Sequence, residues 1–462
     1  MEARVKPTGP AGVSSAAPAQ AEGRATEAGG DLLERALERG NLLRALRRVE
    51  GNRGAAGSDG MGVQELRPYL REHWPGLRER LLEGTYRPTP VKRVEIPKSD
   101  GGVRKLGIPT VRDRFLQQAL LQVMTPVFDP GMSASSYGFR PGRGAHEAVL
   151  AARGYVREGQ TWVVDLDLKQ FFDHVNHDRL MARVGQKVRD RRVLRLVRWY
   201  LQSGVMEGGV VVATEEGTPQ GGPLSPLLAN IYLDELDKEL EKRGHRFCRY
   251  ADDCNIYVRS RRAGERVMAG VRRLLEGRLK LQVNEAKSAV DRPWKRKFLG
   301  FSVLPGKECR IRLAPQSMRR VKDRVREITR RGRSQNLDER IGVLNEYLGG
   351  WIGYFALVET PSVVEDLTKW LRHRLRACIW RQWRRVRTRY RELRALGLPE
   401  SVVKYMANTR KGPWRIAQSP PLQQGLDGAF WKAHGLLDLQ ERYQLLRSAW
   451  RTAGCGPACP VV

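Results

Sequence analysis

Two adjacent carboxylates, Asp252 and Asp253, interrupt an otherwise apolar stretch near the middle of the chain. The run Phe247 to Tyr250 precedes them. After them, Cys254, Ile256 and Val258 alternate with Asn255 and Tyr257. Alternation at period two predicts a strand–turn–strand hairpin with both acids at its tip. Carboxylates side by side on a tight turn repel each other. A divalent cation relieves that repulsion, and hard oxygen ligands suit Mg²⁺. An ordinary acidic turn would carry the same residues, so the pair gains meaning only from the rest of the chain.

The run Thr161-Trp162-Val163-Val164-Asp165-Leu166-Asp167-Leu168 is a strongly apolar strand that ends in acids. Alternation sets Asp165 and Asp167 on one face. An acid at the end of a buried strand needs a partner or a metal. Asp167 is therefore the natural third ligand for the pair, although 252 − 167 = 85 residues separate it from Asp252. Phe171, Phe172 and Asp173 follow and open a helix. His174 and His177 have no thiolate or third His beside them, so they read as helix-surface residues rather than a metal pair.

Other stretches fit both a functional and a plain structural reading. Val91 to Lys98 and Val103 to Pro109 flank an Asp-Gly-Gly turn and predict a β-hairpin. Lys98 and Arg104, beside its tip, could clamp a triphosphate or stay solvated. Tyr137-Gly138-Phe139-Arg140-Pro141-Gly142-Arg143 interleaves rings with cations, as base stacking and phosphate binding by Arg140 and Arg143 would require. It also fits an aromatic core turn. The loop Gly217 to Pro223 leads into a helix that Ser225 can cap and Pro226 can open. In that loop Gln220 offers a donor and an acceptor to a base edge, and Gly221 lets backbone approach a ligand. A further helix spans Val271 to Leu281, before Asn284-Glu285-Ala286-Lys287 and Phe298-Leu299-Gly300-Phe301.

Charge narrows the choice of partner. With 83 Lys and Arg against 51 Asp and Glu, the net charge is +32. Such a surplus implies a polyanion, with nucleic acid the first candidate. The cations concentrate after Pro315, where Arg319, Arg320 and Arg324 crowd one helix. Arg372 and Arg376 ring another, whose inner face carries Leu367, Leu371, Leu375 and Ile379. Charge of one sign repels itself unless phosphates neutralise it. Trp351, Trp370, Trp380 and Trp383 read as core or as props for that surface. The segment from about Glu400 is too short and too poor in His and Cys pairs for a metal-dependent nuclease. No run of ~18 apolar residues marks a membrane span, and no apolar signal core opens the chain. Six cysteines in 462 residues suggest a reducing, cytoplasmic setting rather than a disulfide framework. Cys455 and Cys459 lack companions for a zinc site. Residues 1–30, rich in Ala, Gly, Pro and Ser, are expected to be disordered.

Taken in order, these motifs resemble reverse transcriptases. The strand with Asp167, the loop Pro219-Gln220-Gly221-Gly222, the Tyr250 to Asp253 hairpin, the Lys287 segment and Phe298 to Phe301 are similar to the successive motifs of a polymerase palm. Tyr137 to Pro141, Thr218 to Leu233 and Gly350 to Phe355 narrow the resemblance to the group II intron-encoded reverse transcriptase/maturase. It is nearest the compact bacterial group IIC branch, which lacks an endonuclease, and covers roughly residues 32–447.

The resemblance implies an α+β right-hand polymerase. Fingers and a palm with an antiparallel sheet would precede an all-helical thumb or maturase domain and a small C-terminal helical segment. The expected divisions are a tail over 1–30, an N-terminal extension over 31–90, fingers and palm over 91–301, thumb over 302–395, and a DNA-binding segment with tail over 396–462. It implies that Asp167, Asp252 and Asp253, with the backbone carbonyl of Leu168, hold two Mg²⁺ ions. It further implies that Phe172 excludes a ribose 2′-hydroxyl, that Lys98 and Arg104 hold the dNTP triphosphate, and that Gln220 and Gly221 pack against the incoming nucleotide. Lys287 would protonate the leaving pyrophosphate. The implied partners are intron RNA, an RNA template with a DNA primer, target DNA and dNTPs, with the protein a monomer or homodimer. Two other readings stay open: an RNA-binding splicing factor with a vestigial polymerase, and a domesticated reverse transcriptase in phage defence.

Overall fold

Short runs rich in apolar and β-branched residues form the strands among the described residues. In order they are β1 (Val91–Pro97), β2 (Val103–Ile108), β3 (Trp162–Leu166), β4 (Val205–Glu207), β5 (Val210–Val212), β6 (Arg246–Tyr250), β7 (Asp253–Val258), β8 (Ala289–Asp291), β9 (Phe301–Val303) and β10 (Ile311–Leu313). This computed structural model describes residues 30–97, 103–207, 210–212, 217, 221–330 and 336–452. The tail over 1–29, Lys98, the side chain of Arg104, Gln220, Cys455 and Cys459 lie outside what is described.

The fold is mixed α and β. Strands β6, β7, β3 and β8 lie side by side in an antiparallel sheet. The register aligns Val163 with Tyr257, Asp165 with Asn255, and Leu166 with Cys254. Alternation then divides the sheet into two faces. Val164, Leu166, Phe247, Cys254 and Ile256 pack into a core shared with the helices Val111–Phe128 and Ser225–Lys242. Val163, Cys248 and Tyr257 face the other way, against Ala148, Val149 and Ala152 of the helix Ala145–Arg157. Alternation along β3 and β7 puts the acids at 165, 167 and 253 on this second face, with Val163 and Tyr257.

A second sheet, in the order β2-β1-β4-β5, carries the expected hairpin, with Pro97 opposite Val103. The helix behind it opens at Thr110, whose hydroxyl accepts the N–H of Asp113. Asp113 is fully buried and accepts from Tyr86, Thr110 and the backbone of Thr89. That buried carboxylate ties the root of β1 to the helix.

Beyond β10 the chain is helical: Pro315–Ile328, Leu337–Phe355 and Ser362–Gln382, then shorter helices to Leu439–Thr452. Leu344, Leu348, Leu367, Leu371 and Leu375 pack in one core that also takes Val403, Trp431 and Tyr443. The core therefore runs on without a break through the division expected near residue 396. Trp380 is buried within it. Trp370 instead lies under Lys322, Arg326 and Arg374, whose charged groups sit 5.6, 5.6 and 6.0 Å from its ring. No helix among the described residues is long and apolar enough to cross a membrane.

Candidate active site

The acid hairpin differs in one detail from the sequence expectation. Tyr250 pairs directly with Asp253, so the turn consists of Ala251 and Asp252, and Asp253 is the first residue of β7. Ala251 sits in the left-handed region at φ +57°. A residue with a Cβ adopts that conformation only when its surroundings hold it there.

Arg249 does the holding. Its side chain is buried, and all five guanidinium N–H groups are used. Nε and one Nη donate to the two oxygens of Asp237 at 2.7 and 2.6 Å. The remaining donors reach Ser136 Oγ at 2.7 Å, Asn230 Oδ1 at 2.9 Å and the carbonyl of Ala251 at 2.9 Å. Burial pushes the Asp237 carboxyl upward from its ordinary range, and Arg249 opposes that push. The last of these bonds fixes the turn that presents Asp252. Sequence reasoning missed this network. An Arg one residue inside an apolar strand, with Asp and Asn on a neighbouring amphipathic helix, was the available signal.

The Tyr137 to Arg143 stretch braces the same turn from outside. Backbone bonds link Tyr137 N to Arg249 O and Arg249 N to Ser135 O, each at 2.9 Å. A Cβ on Gly138 would lie 2.5 Å from the backbone nitrogen of Ala251, so no other residue fits there without moving the turn. Phe139 stays exposed, its ring 6.3 Å from that of Tyr250. Arg140 does not serve the surface role expected of it. It is buried, bonded to Asp129 and to the carbonyls of Ser133 and Ser136, because closing this loop leaves inward carbonyls that need a multidentate donor. Arg143 is half-buried and donates to Ala134 O at 2.6 Å.

The other acids arrive by register. One step past Leu166 and Cys254, Asp167 stands level with Asp253. The end of β3 is clamped to the following loop: Asn284 N donates to Asp167 O, Asn284 Nδ2 to Asp167 Oδ2, and Asp167 N to Ser288 Oγ, at 2.8, 2.8 and 3.0 Å. Asp165 on the same face pairs with Arg296 at 2.6–2.7 Å. Burial pushes the Asp165 carboxyl upward and Arg296 opposes it. Arg296 also donates to the carbonyl of Lys287 at 2.5 Å. Lys287 itself is exposed on that loop.

Burial and then the charges of Asp252, Asp165 and Asp167 push Asp253 up to about 7, while Lys297 pulls the other way. The residue as a whole is open to solvent. Among the described residues no three Asp, Glu, His or Cys side chains are already drawn in around a single point. Crowded carboxylates with little cationic compensation fit a divalent ion, which would draw them closer.

The remaining expected residues border this face. Phe172 is half-buried, edge-on to Phe171 at 5.1 Å between ring centres. It lies in a single 3₁₀ turn, and the α-helix starts only at His177, capped by Asn176. His177 is buried rather than on the surface, because its ring bonds the carbonyl of Gly217 at 2.5 Å. Gly217, at φ +95°, has no room for a Cβ beside the carbonyls of Phe172 and Asp173. Gly221, at φ +129°, approaches the carbonyl of Gly107 on β2 just as closely. Gly217 therefore lies against the Phe172 turn, and Gly221 against the first hairpin. Leu168 is buried and bridges to Val283.

Farther away, Arg319, Arg320 and Arg324 are exposed on the helix Pro315–Ile328, with Arg324 paired to Glu327. Arg372 reaches Asp438 at 3.4 Å. Arg376 is a second correction to the surface expectation: it is buried and donates to the carbonyls of Ala417 and Leu426, which close the last turns of short helices.

The mixed α and β fold is reverse-transcriptase-like, as comparison with known proteins shows. Residues 96–303 match the family of reverse transcriptases (RNA-dependent DNA polymerases), and residues 318–397 match the group II intron maturase-specific domain. Protein YkfC of Escherichia coli (strain K12) is 35% identical over 289 residues, which cover 54% of this chain and 76% of that protein. The group II intron-encoded protein LtrA of Lactococcus lactis subsp. cremoris is 37% identical over 184 residues, 39% of this chain and 29% of LtrA. Among solved structures, a partial Cas6-RT-Cas1--Cas2 complex shares 25% identity, with 53% of this chain and 42% of that one covered. The TM-score is 0.35. The chain belongs to the group II intron-encoded reverse transcriptase/maturase family.

Proposed function

We propose that this protein is an RNA-directed DNA polymerase of a group II intron, that it also assists splicing and mobility of that intron, and that intron RNA, template–primer, target DNA and dNTPs are its partners. The observation that supports the reading most is the register of β3 against β7, which brings Asp167 level with Asp253 and next to Asp252.

In this reading the two sheets and the helices around them are fingers and palm, and the helices from Pro315 onward are the thumb. Asp167, Asp252 and Asp253, with the carbonyl of Leu168, are the residues that would hold two Mg²⁺ ions. Bound there, the ions would supply charge neutralisation at the attacking and leaving oxygens of an in-line displacement. The chain's own residues do the rest. Arg249 fixes the backbone turn that presents Asp252. Asn284 and Ser288 orient Asp167. Lys98 and Arg104, from the β1–β2 hairpin, hold the triphosphate as paired cations. Phe172 fills the space beside the sugar and disfavours a 2′-hydroxyl. Gln220 and Gly221 line the nucleotide from the glycine loop. Lys287, on the loop tied to Asp167, delivers a proton to pyrophosphate. Arg319, Arg320 and Arg324 face phosphates of RNA or duplex.

The test is dNTP incorporation on an RNA template with a DNA primer and Mg²⁺, with the Asp252→Asn variant beside the wild-type chain. We expect the substitution to reduce incorporation to background. Incorporation that survives the substitution overturns the assignment, and absence of incorporation in the wild type leaves a splicing factor without polymerase activity.

A further inference from the structure

At the end of the central sheet opposite the acids there is an open groove of ≈ 590 Å³. Strand β7 separates the two places. Five residue steps from Asp253 to Val258, at ~3.4 Å each, make about 17 Å. The groove lies where β6 begins, β7 ends and the helix Arg261–Arg273 starts. Arg243, His245, Arg246, Arg259 and Arg266 line it, with Gln160, and no acidic side chain does.

Those cations differ in how far they are already satisfied. Arg243 bonds Glu239 at 2.8 Å. Arg246 is only loosely held, 3.9 Å from Glu158 and 6.0 Å from the Tyr155 ring centre. Arg259 and Arg266 make no hydrogen bond or ion pair among the described residues. Unneutralised guanidinium groups converging on one concave surface repel each other, and the fold tolerates that only at some cost in stability. The first turn of the adjoining helix adds no acid, and its N-terminal N–H groups contribute further positive potential.

We propose that this groove is a second nucleic-acid site, which takes the phosphate backbone of a structured RNA while the acid site is occupied. The chemistry favours a backbone over a free nucleotide. The cations are spread along an open rim rather than enclosing a pocket, and Tyr257, which lines the groove, is buried and offers no face for a base. Planar guanidinium groups bind phosphate oxygens in pairs, as a backbone track requires. The position, about 17 Å from the acids along β7 and at the other end of that strand, sets the groove apart from the acid site. The inference does not use the acid cluster and stands apart from the proposed polymerase chemistry.

The test uses the full chain loaded with a chain-terminated DNA primer on an RNA template. A fluorescently labelled, non-complementary RNA hairpin is then titrated by anisotropy at several salt concentrations. The loaded complex is expected to bind the hairpin. Substituting Arg259→Gln and Arg266→Gln together should reduce the slope of log K against log salt by roughly 1.4–1.8 for two lost phosphate contacts. Primer extension by that double variant should match wild type. Substituting Arg261→Gln and Arg262→Gln, on the same helix but outside the groove, removes equal charge and should change the slope far less. Failure of the loaded complex to bind the hairpin overturns the proposal, as does an equal effect of the two double variants. If the primer cannot be loaded, the same comparison on the free chain decides the groove's role, and only the polymerase reading has failed.

Discussion

Substituting Arg249→Met should separate the stability of the sheet from the presentation of Asp252. Arg249 and Asp237 have side-chain exposures of 1% and 0%. Removing the guanidinium strands Asp237 without a counter-charge, which costs about 3–5 kcal/mol. At roughly a factor of ten per 1.4 kcal/mol, opening around the hairpin becomes about 10² to 4 × 10³ times more frequent. Cys248 and Cys254 report this directly. Both thiols are buried and unpaired, on the strands either side of the turn, and burial pushes both well above the ordinary thiol range. They can be alkylated only when the hairpin opens, so labelling followed by mass spectrometry measures the loss. The double variant Arg249→Met with Asp237→Leu removes both charges and should recover to within about 1–2 kcal/mol of wild type. Incorporation should stay low in the double variant, because the carbonyl of Ala251 still lacks its donor. A double variant as labile as the single one, or as active as wild type, refutes the reasoning.

Other substitutions probe the supports around the site. Gly138→Ala forces a Cβ to within 2.5 Å of the Ala251 nitrogen. It should cost about 1–3 kcal/mol and lower incorporation, both read in the same two assays. Arg296→Gln leaves Asp165 without its counter-charge and frees the Lys287 carbonyl, a loss of about 1–3 kcal/mol in urea unfolding; Arg296→Lys should not restore it, since one ammonium replaces a planar fork. At Asp190, burial raises the carboxyl, but bonds from Arg192 and from the Leu33 backbone bring it net below its ordinary value. Its folded form is therefore the stronger acid. The stability it lends is present above about pH 4 and is lost as pH falls further, so acid unfolding of Asp190→Asn should lack that part of the pH dependence.

Much of this arrangement was legible in the residues themselves. Period-two runs around Asp167 and Asp252 gave strands, and hydrophobic spacing at Leu344, Leu348 and Leu371 gave helices with those residues inside. What the pattern could not give is how a long cation is used. Arg140 lies in a glycine- and proline-rich loop and Arg376 beside the apolar Leu375, Ala377 and Cys378, and both are buried against carbonyls that come from elsewhere in the chain. Arg319, among mostly polar neighbours, is exposed. His177 escaped for the same reason, because its partner Gly217 is 40 residues away. The two-residue turn at Ala251 and Asp252 was also hidden, since a positive φ at alanine follows from Arg249's bond rather than from any turn-forming residue.

The central claim is that residues distant in sequence share a cation. Manganese, which substitutes for magnesium at oxygen sites, can be titrated against the full chain and the free ion counted by electron paramagnetic resonance. The account predicts saturable binding to the wild-type chain, weakened at least tenfold by Asp167→Asn and by Asp253→Asn alike. An Asp167→Asn variant that titrates like wild type, while Asp253→Asn does not, would contradict it.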